Sequence, residues 1–276
     1  MRSGTNANPA VLVLTGAGLT AAVALRLIAP LRSDFEILGA AVNGRAGRLG
    51  MTTADDAVAL LDKAGADDAH VIGLSFGGAV AQELAIRYPR RVRSLILGSS
   101  TAGGELYVPP EPPIRDFIRR LSSLPAEEGL WATVPYLYAA ATCSQNAPLI
   151  GEDIAERLCW PLDPNSYRPQ RETARSHDAG ARLTSITAPT LVIHGGHDRV
   201  LPLGNGRLLA RSIPGARLIA VPAGAHAFPT DAPDANREIV KFVRANSRQR
   251  ANSRQRANSG PRPGRAATRN ARADRA

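Results

Sequence analysis

The stretch AHVIGLSFGGAVAQELAIRYP, residues 69–89, decides the fold of this chain. It opens on an apolar run, Ala69–Ile72, and then reads Gly73-Leu-Ser75-Phe-Gly77-Gly78 before a helical pattern that ends at Pro89. A buried strand that turns into a helix within so few residues leaves no space beside the turn, and glycines on both sides of Ser75 relieve that crowding. The Ser75 hydroxyl is then raised above the end of the strand, with the Phe76 N–H facing the same point.

Working outward, short apolar runs recur with helical patterns between them. The spacing predicts strands at Val11–Leu14, Phe35–Leu38, Ala69–Ile72, Val92–Leu97, Thr190–Ile193 and Arg217–Val221. Helices are expected near 20–29, after a Thr52 or Thr53 cap, over 77–88, near 203–212 and over 234–244. Such alternation implies an α/β fold with a mostly parallel sheet covered by helices on both faces. Sheets of this kind place their chemistry on loops at the carboxyl ends of strands. Between Gly98 and Pro189 the strand signal vanishes, and helical patterns over 114–121, 129–141 and 152–158 suggest a helical cap. The expected organisation is a core over 1–102, the cap over 103–186, the rest of the core over 187–246, and a disordered basic tail over 247–276.

Composition agrees with a folded body and isolates the tail. Hydrophobic residues make up 44% and charged residues 21%, which excludes a chain that is disordered throughout. The net charge of +10 is concentrated at one end. Residues 248–276 hold nine arginines against the single acid Asp274, while residues 1–247 hold 25 basic and 23 acidic residues. RANSRQ begins at Arg244 and again at Arg250, a repeat with no apolar face to bury. Nucleic acid is therefore not an expected partner of the body. Cys143 and Cys159 are too few to staple a fold of this size and read as free thiols. The apolar stretch 10–29 is interrupted by Thr15, Gly16, Gly18, Thr20 and Arg26. It reads as a strand turning into a helix rather than as a signal peptide or membrane span, and the expected location is cytoplasmic.

A serine hydroxyl needs a base to become a nucleophile, and the base needs an acid to orient it. The fifth strand is followed by His194-Gly-Gly-His197-Asp198, and the sixth by Pro222-Ala-Gly-Ala-His226. Asp198 and His226 thus follow the strands that should flank the site, in the chain order Ser75, Asp198, His226 that this turn implies. The expected oxyanion hole combines the N–H groups of Phe76 and Ala17, the latter from the loop after the first strand. The same loop, TGAGLT, lacks the third glycine of a dinucleotide fingerprint, and the second strand does not end on an acid. His194 and His197, three apart on a turn with no further ligand cluster, do not make a metal site. His194 is expected to support the acid loop, His70 to be structural, and His177 to lie on the surface of the cap.

On these residues the chain resembles the α/β-hydrolase superfamily over about residues 10–245. The resemblance rests on HVIGLSFGGAVAQELAIRYPRRVRSLIL (70–97), APTLVIHGGHDRVLP (188–202) and AGAHAF around His226. It is similar in particular to the cap-bearing lactonase and esterase branch that includes 3-oxoadipate enol-lactonases. The resemblance implies an α/β-hydrolase fold, a Ser75–His226–Asp198 triad, and neither metal nor organic cofactor. It departs from the family in Thr15-Gly16, where His-Gly is usual, and in the loop Val42–Leu49. The antiparallel strands that usually precede the first parallel one are not expected either. The implied activity is hydrolysis of a small carboxylic ester or lactone, with no membrane partner. C–C bond hydrolysis, an aminopeptidase or a cofactor-free perhydrolase on the same triad, and a non-catalytic binding protein, are the alternatives. Tyr107, Tyr136, Tyr138, Tyr167, Trp131 and Trp160 are the candidate pocket residues of the cap, with plain cap core the favoured reading for each.

Overall fold

The computed structural model describes residues 8–16, 21–39, 53–159 and 172–258. Six strands form one parallel sheet: β1 (Ala10–Leu14), β2 (Glu36–Gly39), β3 (Ala69–Leu74), β4 (Val92–Gly98), β5 (Thr190–Gly195) and β6 (Arg217–Val221). Their order across the sheet is β2-β1-β3-β4-β5-β6. All six lie where the apolar runs predict them; the four central strands are buried almost throughout, as a strand covered on both faces requires, while the edge strands β2 and β6 begin on exposed Glu36 and Arg217. The alternation of side chains then divides each run between two cores. Leu12, Val71, Leu95 and Val192 face one, with Leu61 of α2 (Ala54–Lys63) and Leu84 of α3 (Phe76–Arg87). Val11, Val13, Ile72, Ile96 and Ile193 face the other, with Leu27 of α1 (Ala21–Ile28) and Val243 of the C-terminal helix.

Helix starts follow local chemistry. Thr53 caps α2, its Oγ1 accepting from the Asp56 N–H at 3.2 Å while Asp56 Oδ2 accepts from the Thr53 N–H at 3.1 Å. The apolar stretch from Ala10 becomes β1 and α1. Among the described residues, no helix is long and apolar enough to cross a membrane.

Between β4 and β5 the chain builds a helical insertion: α4 (Pro112–Arg120), α5 (Ala126–Leu137), α6 (Ala140–Gln145) and α7 (Ala147–Cys159). The single helix expected over 129–141 is therefore two, broken at Tyr138-Ala139. Both cysteines of the insertion are free. The chain then returns through β5, α8 (Gly204–Ser212), β6, the short α9 (Phe228–Asp231) and α10 (Pro233–Asn258).

The length of α10 corrects the expectation of a disordered tail from residue 247, since the helix continues to Asn258. Ile239 and Val243 are fully buried against the sheet, so the helix is already nucleated when it reaches the repeat. Alanine, arginine and glutamine then extend it at little cost. Ser247, inside the first repeat, is also pinned: its Oγ lies 2.6 Å from His70 Nε2, whose other nitrogen is 2.7 Å from Ser94 Oγ. His70 is thus a buried structural histidine, as expected. Residues 259–276 lie outside the described residues.

Candidate active site

Ser75 occupies the joint between β3 and α3 with φ 54° and ψ −122°, a conformation that side-chain-bearing residues rarely adopt. Three hydrogen bonds hold it there. Its N–H donates to Gly98 O at 2.8 Å, and its carbonyl accepts from the Gly78 N–H and the Ser100 hydroxyl, both at 2.9 Å. The flanking glycines are demanded by close approach: a Cβ on Gly77 would sit 2.1 Å from Leu14 O, and one on Gly73 would sit 2.6 Å from Gly77 O. As the first residue of α3, Phe76 has an N–H without an intrahelical partner. The loop after β1 presses against the same spot, since a Cβ on Gly16 would fall 2.8 Å from Phe76 N. Ala17, the other expected oxyanion donor, lies outside the described residues, as does the loop Val42–Leu49.

The loops after β5 and β6 are joined by their backbones, Gly196 N–H donating to Val221 O at 2.8 Å and His197 N–H to Gly224 O at 2.9 Å. They bring Asp198 and His226, both buried, to Ser75. His226 Nδ1 is 2.8 Å from Asp198 Oδ2, and its Nε2 is 3.0 Å from Ser75 Oγ. Asp198 Oδ1 accepts from the N–H groups of Val200 at 2.9 Å and Leu201 at 2.8 Å. Burial pushes the Asp198 carboxyl up, but attraction to His226 and hydrogen bonds from His194 and His226 outweigh it and hold it well below the usual carboxylate range. An ionised Asp198 only accepts, so the Nδ1 proton of His226 must point to it. The Nε2 lone pair is thereby left for the Ser75 hydroxyl proton.

The remaining histidines separate cleanly. His194, fully buried, supports the acid loop as expected: its Nε2–H donates to Leu201 O at 2.8 Å, with Asp198 Oδ2 a longer contact at 3.4 Å. His197 is exposed. His177 is not the surface residue expected; it is buried 3.4 Å from Gln82 Oε1 and 3.7 Å from Glu83 Oε1, and burial lowers its basicity. That contact joins distant segments, which local sequence cannot reveal.

Of the cap aromatics, Tyr107 and Trp131 are exposed. Tyr138 is buried and commits its hydroxyl to Asp153 Oδ2 at 2.7 Å. Tyr136 stacks on Phe117 at 4.6 Å, and the Arg199 guanidinium lies 5.3 Å from the same ring centroid. Trp160 and Tyr167 lie outside the described residues.

Asp231 is a polar residue beside this site that sequence reading missed. Half-buried, it accepts hydrogen bonds from Ala225 N–H, Ala139 N–H and the Thr142 hydroxyl. The only sequence signal was an acid two residues before Pro233, which reads as an ordinary helix-start residue.

Comparison with known proteins places this geometry in context. The sequence pattern of the alpha/beta hydrolase family matches residues 10–239. RutD of Azorhizobium caulinodans, a protein named for a proposed carbamate hydrolase activity, is 33% identical over 187 residues, covering 68% of this chain and 70% of its own. The 2-hydroxy-6-oxo-6-phenylhexa-2,4-dienoate hydrolase of Comamonas testosteroni is 30% identical over 198 residues, covering 71% of this chain and 69% of its own. Among solved structures, the enol-lactonase of Burkholderia xenovorans superposes with a TM-score of 0.72 over 87% of this chain and 92% of its own. At 22% identity, that likeness speaks for the fold alone.

Proposed function

Because this chain belongs to the alpha/beta hydrolase family, we propose that it is a serine hydrolase that cleaves a small carboxylic ester or lactone through an acyl-enzyme. The observation that carries the reading is the continuous relay from Ser75 Oγ to His226 Nε2 at 3.0 Å and from His226 Nδ1 to Asp198 Oδ2 at 2.8 Å.

In the first half-reaction Ser75 Oγ attacks the substrate carbonyl while its proton passes to His226 Nε2. The carbonyl oxygen takes up negative charge, and the Phe76 N–H at the start of α3, which has no partner within the helix, stabilises it with a donor from the loop after β1. Collapse of this intermediate breaks the bond to the leaving alkoxide, which takes the proton back from His226. In the second half-reaction water gives its proton to His226 Nε2 and attacks the acyl group, and Ser75 leaves with that proton restored. Throughout, the Asp198 carboxylate holds the tautomer of the imidazole and stabilises its transient cation.

The names of the two sequence relatives favour a second reading, in which the same three residues cleave a carbamate or a C–C bond next to a ketone. One set of measurements separates them. Wild-type protein and Ser75→Ala are treated with a fluorophosphonate probe and assayed on p-nitrophenyl esters, small lactones, carbamate esters and a vinylogous 1,5-diketone. Labelling of wild type at Ser75, its absence in Ser75→Ala, and a loss of about 10³-fold or more in kcat on esters or lactones are expected. A higher kcat/KM on the carbamate or the diketone moves the substrate class. An unlabelled wild type that turns over nothing sinks the hydrolase reading.

A further inference from the structure

His226 sits in a loop whose neighbours on both sides are tied to one short piece of the cap, residues 137–142. On the C-terminal side, Ala227 N–H donates to Leu137 O, the last residue of α5, at 2.7 Å. On the N-terminal side, Ala225 N–H donates to Asp231 Oδ2 at 2.7 Å. The other oxygen of that carboxylate, Oδ1, accepts from Ala139 N–H at 3.0 Å and from the Thr142 hydroxyl at 2.6 Å. Asp231 therefore fills the break between α5 and α6 with one oxygen and grips the histidine loop with the other. The preceding residue reaches the cap too: Thr230 Oγ1 accepts from Arg26 Nη1 at 3.3 Å, and that nitrogen also donates to the buried Asp153 of α7 at 2.5 Å.

The chemistry of the side chain matters here. All three partners are donors, so the residue must present acceptors in two directions at once, which a carboxylate does and an amide does not. An asparagine can keep its oxygen towards Ala139 and Thr142, but its NH₂ then faces the Ala225 N–H, donor against donor.

We propose that Asp231 is a positioning residue that couples the seating of the cap on the core to the placement of the His226 imidazole between Ser75 and Asp198. Its hydrogen bonds go to Ala139, Thr142 and Ala225, none of them to Ser75 or His226, and it acts through the backbone of Ala225. A misplacement of about 1 Å at a proton-transferring group costs on the order of 10²-fold in rate, so a loop held at one end only is enough to slow the reaction. The coupling also runs the other way: cap contacts that shift α6 loosen the grip on Ala225.

This inference rests on the serine-hydrolase reading for its kinetic consequence, and the test keeps the two apart. Wild type, Asp231→Asn and Thr142→Val are compared by the second-order rate of fluorophosphonate labelling and by kcat and KM per titrated serine. The hydrogen-bonded Nδ1 proton of His226 is followed by NMR. Asp231→Asn is expected to lower the labelling rate and kcat about tenfold or more at little-changed KM, and to abolish or displace the proton resonance. Thr142→Val, which removes one cap-side donor, is expected to lower kcat a few-fold in the same pattern. Both rates are divided by the folded fraction measured by circular dichroism under the assay conditions, so a merely destabilised variant would not reproduce this. A folded Asp231→Asn with kcat within about twofold of wild type and an unmoved resonance overturns the inference. If that variant does not fold, an unchanged kcat in Thr142→Val overturns it instead. Should wild type not be labelled at all, the hydrolase reading fails while the proton resonance still decides the positioning role.

Discussion

The loop after β5 and the turn after β6 each set an aspartate beside the His226 loop, and the two carboxylates are treated in opposite ways. Asp198 and Asp231 both accept three close hydrogen bonds. Asp198 nevertheless lies well below the usual carboxylate range, because His226 and His194 outweigh its burial. Asp231 is raised, because burial dominates over the bonds from Thr142, Ala225 and Ala139, and Asp198 adds repulsion. Hydrogen-bond count is alike in the two places; the difference is whether a partner can carry positive charge. A carboxylate that must stabilise an imidazolium needs such a partner, whereas one that ties two segments together needs only neutral donors in the right directions.

The largest expected effect tests that division of labour. Asp198→Asn should lower kcat by about 10³- to 10⁴-fold while the protein stays folded, since the wrong tautomer of His226 would face Ser75. Asp231→Asn should cost far less, and equal losses in the two variants would erase the distinction.

A pH series of urea unfolding sharpens the comparison by sign. The Asp198 carboxyl is lowered in the folded protein, so its contribution is present above its unfolded value of about 3.9 and is lost as pH falls through the folded value. The stability gap between wild type and Asp198→Asn should therefore shrink on acidification below about pH 4. The Asp231 carboxyl is raised, so the folded protein binds that proton more tightly than the unfolded chain does. The advantage of wild type over Asp231→Asn should fall as pH rises from about 4 through the folded value. Slopes of the same sign would contradict the opposite fields.

The smallest effect concerns the cap's hold on the acid loop. Arg199, next to Asp198, lies over the Tyr136 ring of α5, an exposed contact worth about 0.5–1 kcal/mol. Arg199→Ala should change kcat/KM by no more than about fivefold. A loss as large as that of Asp231→Asn would mean that both loops, rather than the histidine loop alone, depend on the cap.

How much of this could be read without coordinates depends on range. The apolar spacing over 129–141 continues through Tyr138 and predicts a single helix there. At the break the Asp231 carboxylate, 92 residues from Ala139 in the chain, accepts the Ala139 N–H, and Pro135 lies in the last turn before it. Nothing near His177 in sequence announces its contacts with Gln82 and Glu83, so sequence alone puts it on the cap surface. By composition the chain from residue 247 reads as structureless, whereas the helix, buried upstream at Ile239 and Val243 and tied to His70 through Ser247, continues to Asn258.

From residue order alone came the six strands, the crowded turn around Ser75, and the chain order of Ser75, Asp198 and His226. Each of these is local: apolar period, glycine sterics and the rule that parallel sheets expose their loops at one edge. Tertiary structure decided the distances that bring Ser75, His226 and Asp198 within hydrogen-bonding reach, the direction in which the acidity of each aspartate is shifted, and the second carboxylate that ties residues 139–142 to the backbone of Ala225. Those depend on groups far apart in the chain meeting in a medium of low dielectric, where a single neighbouring charge outweighs any local preference.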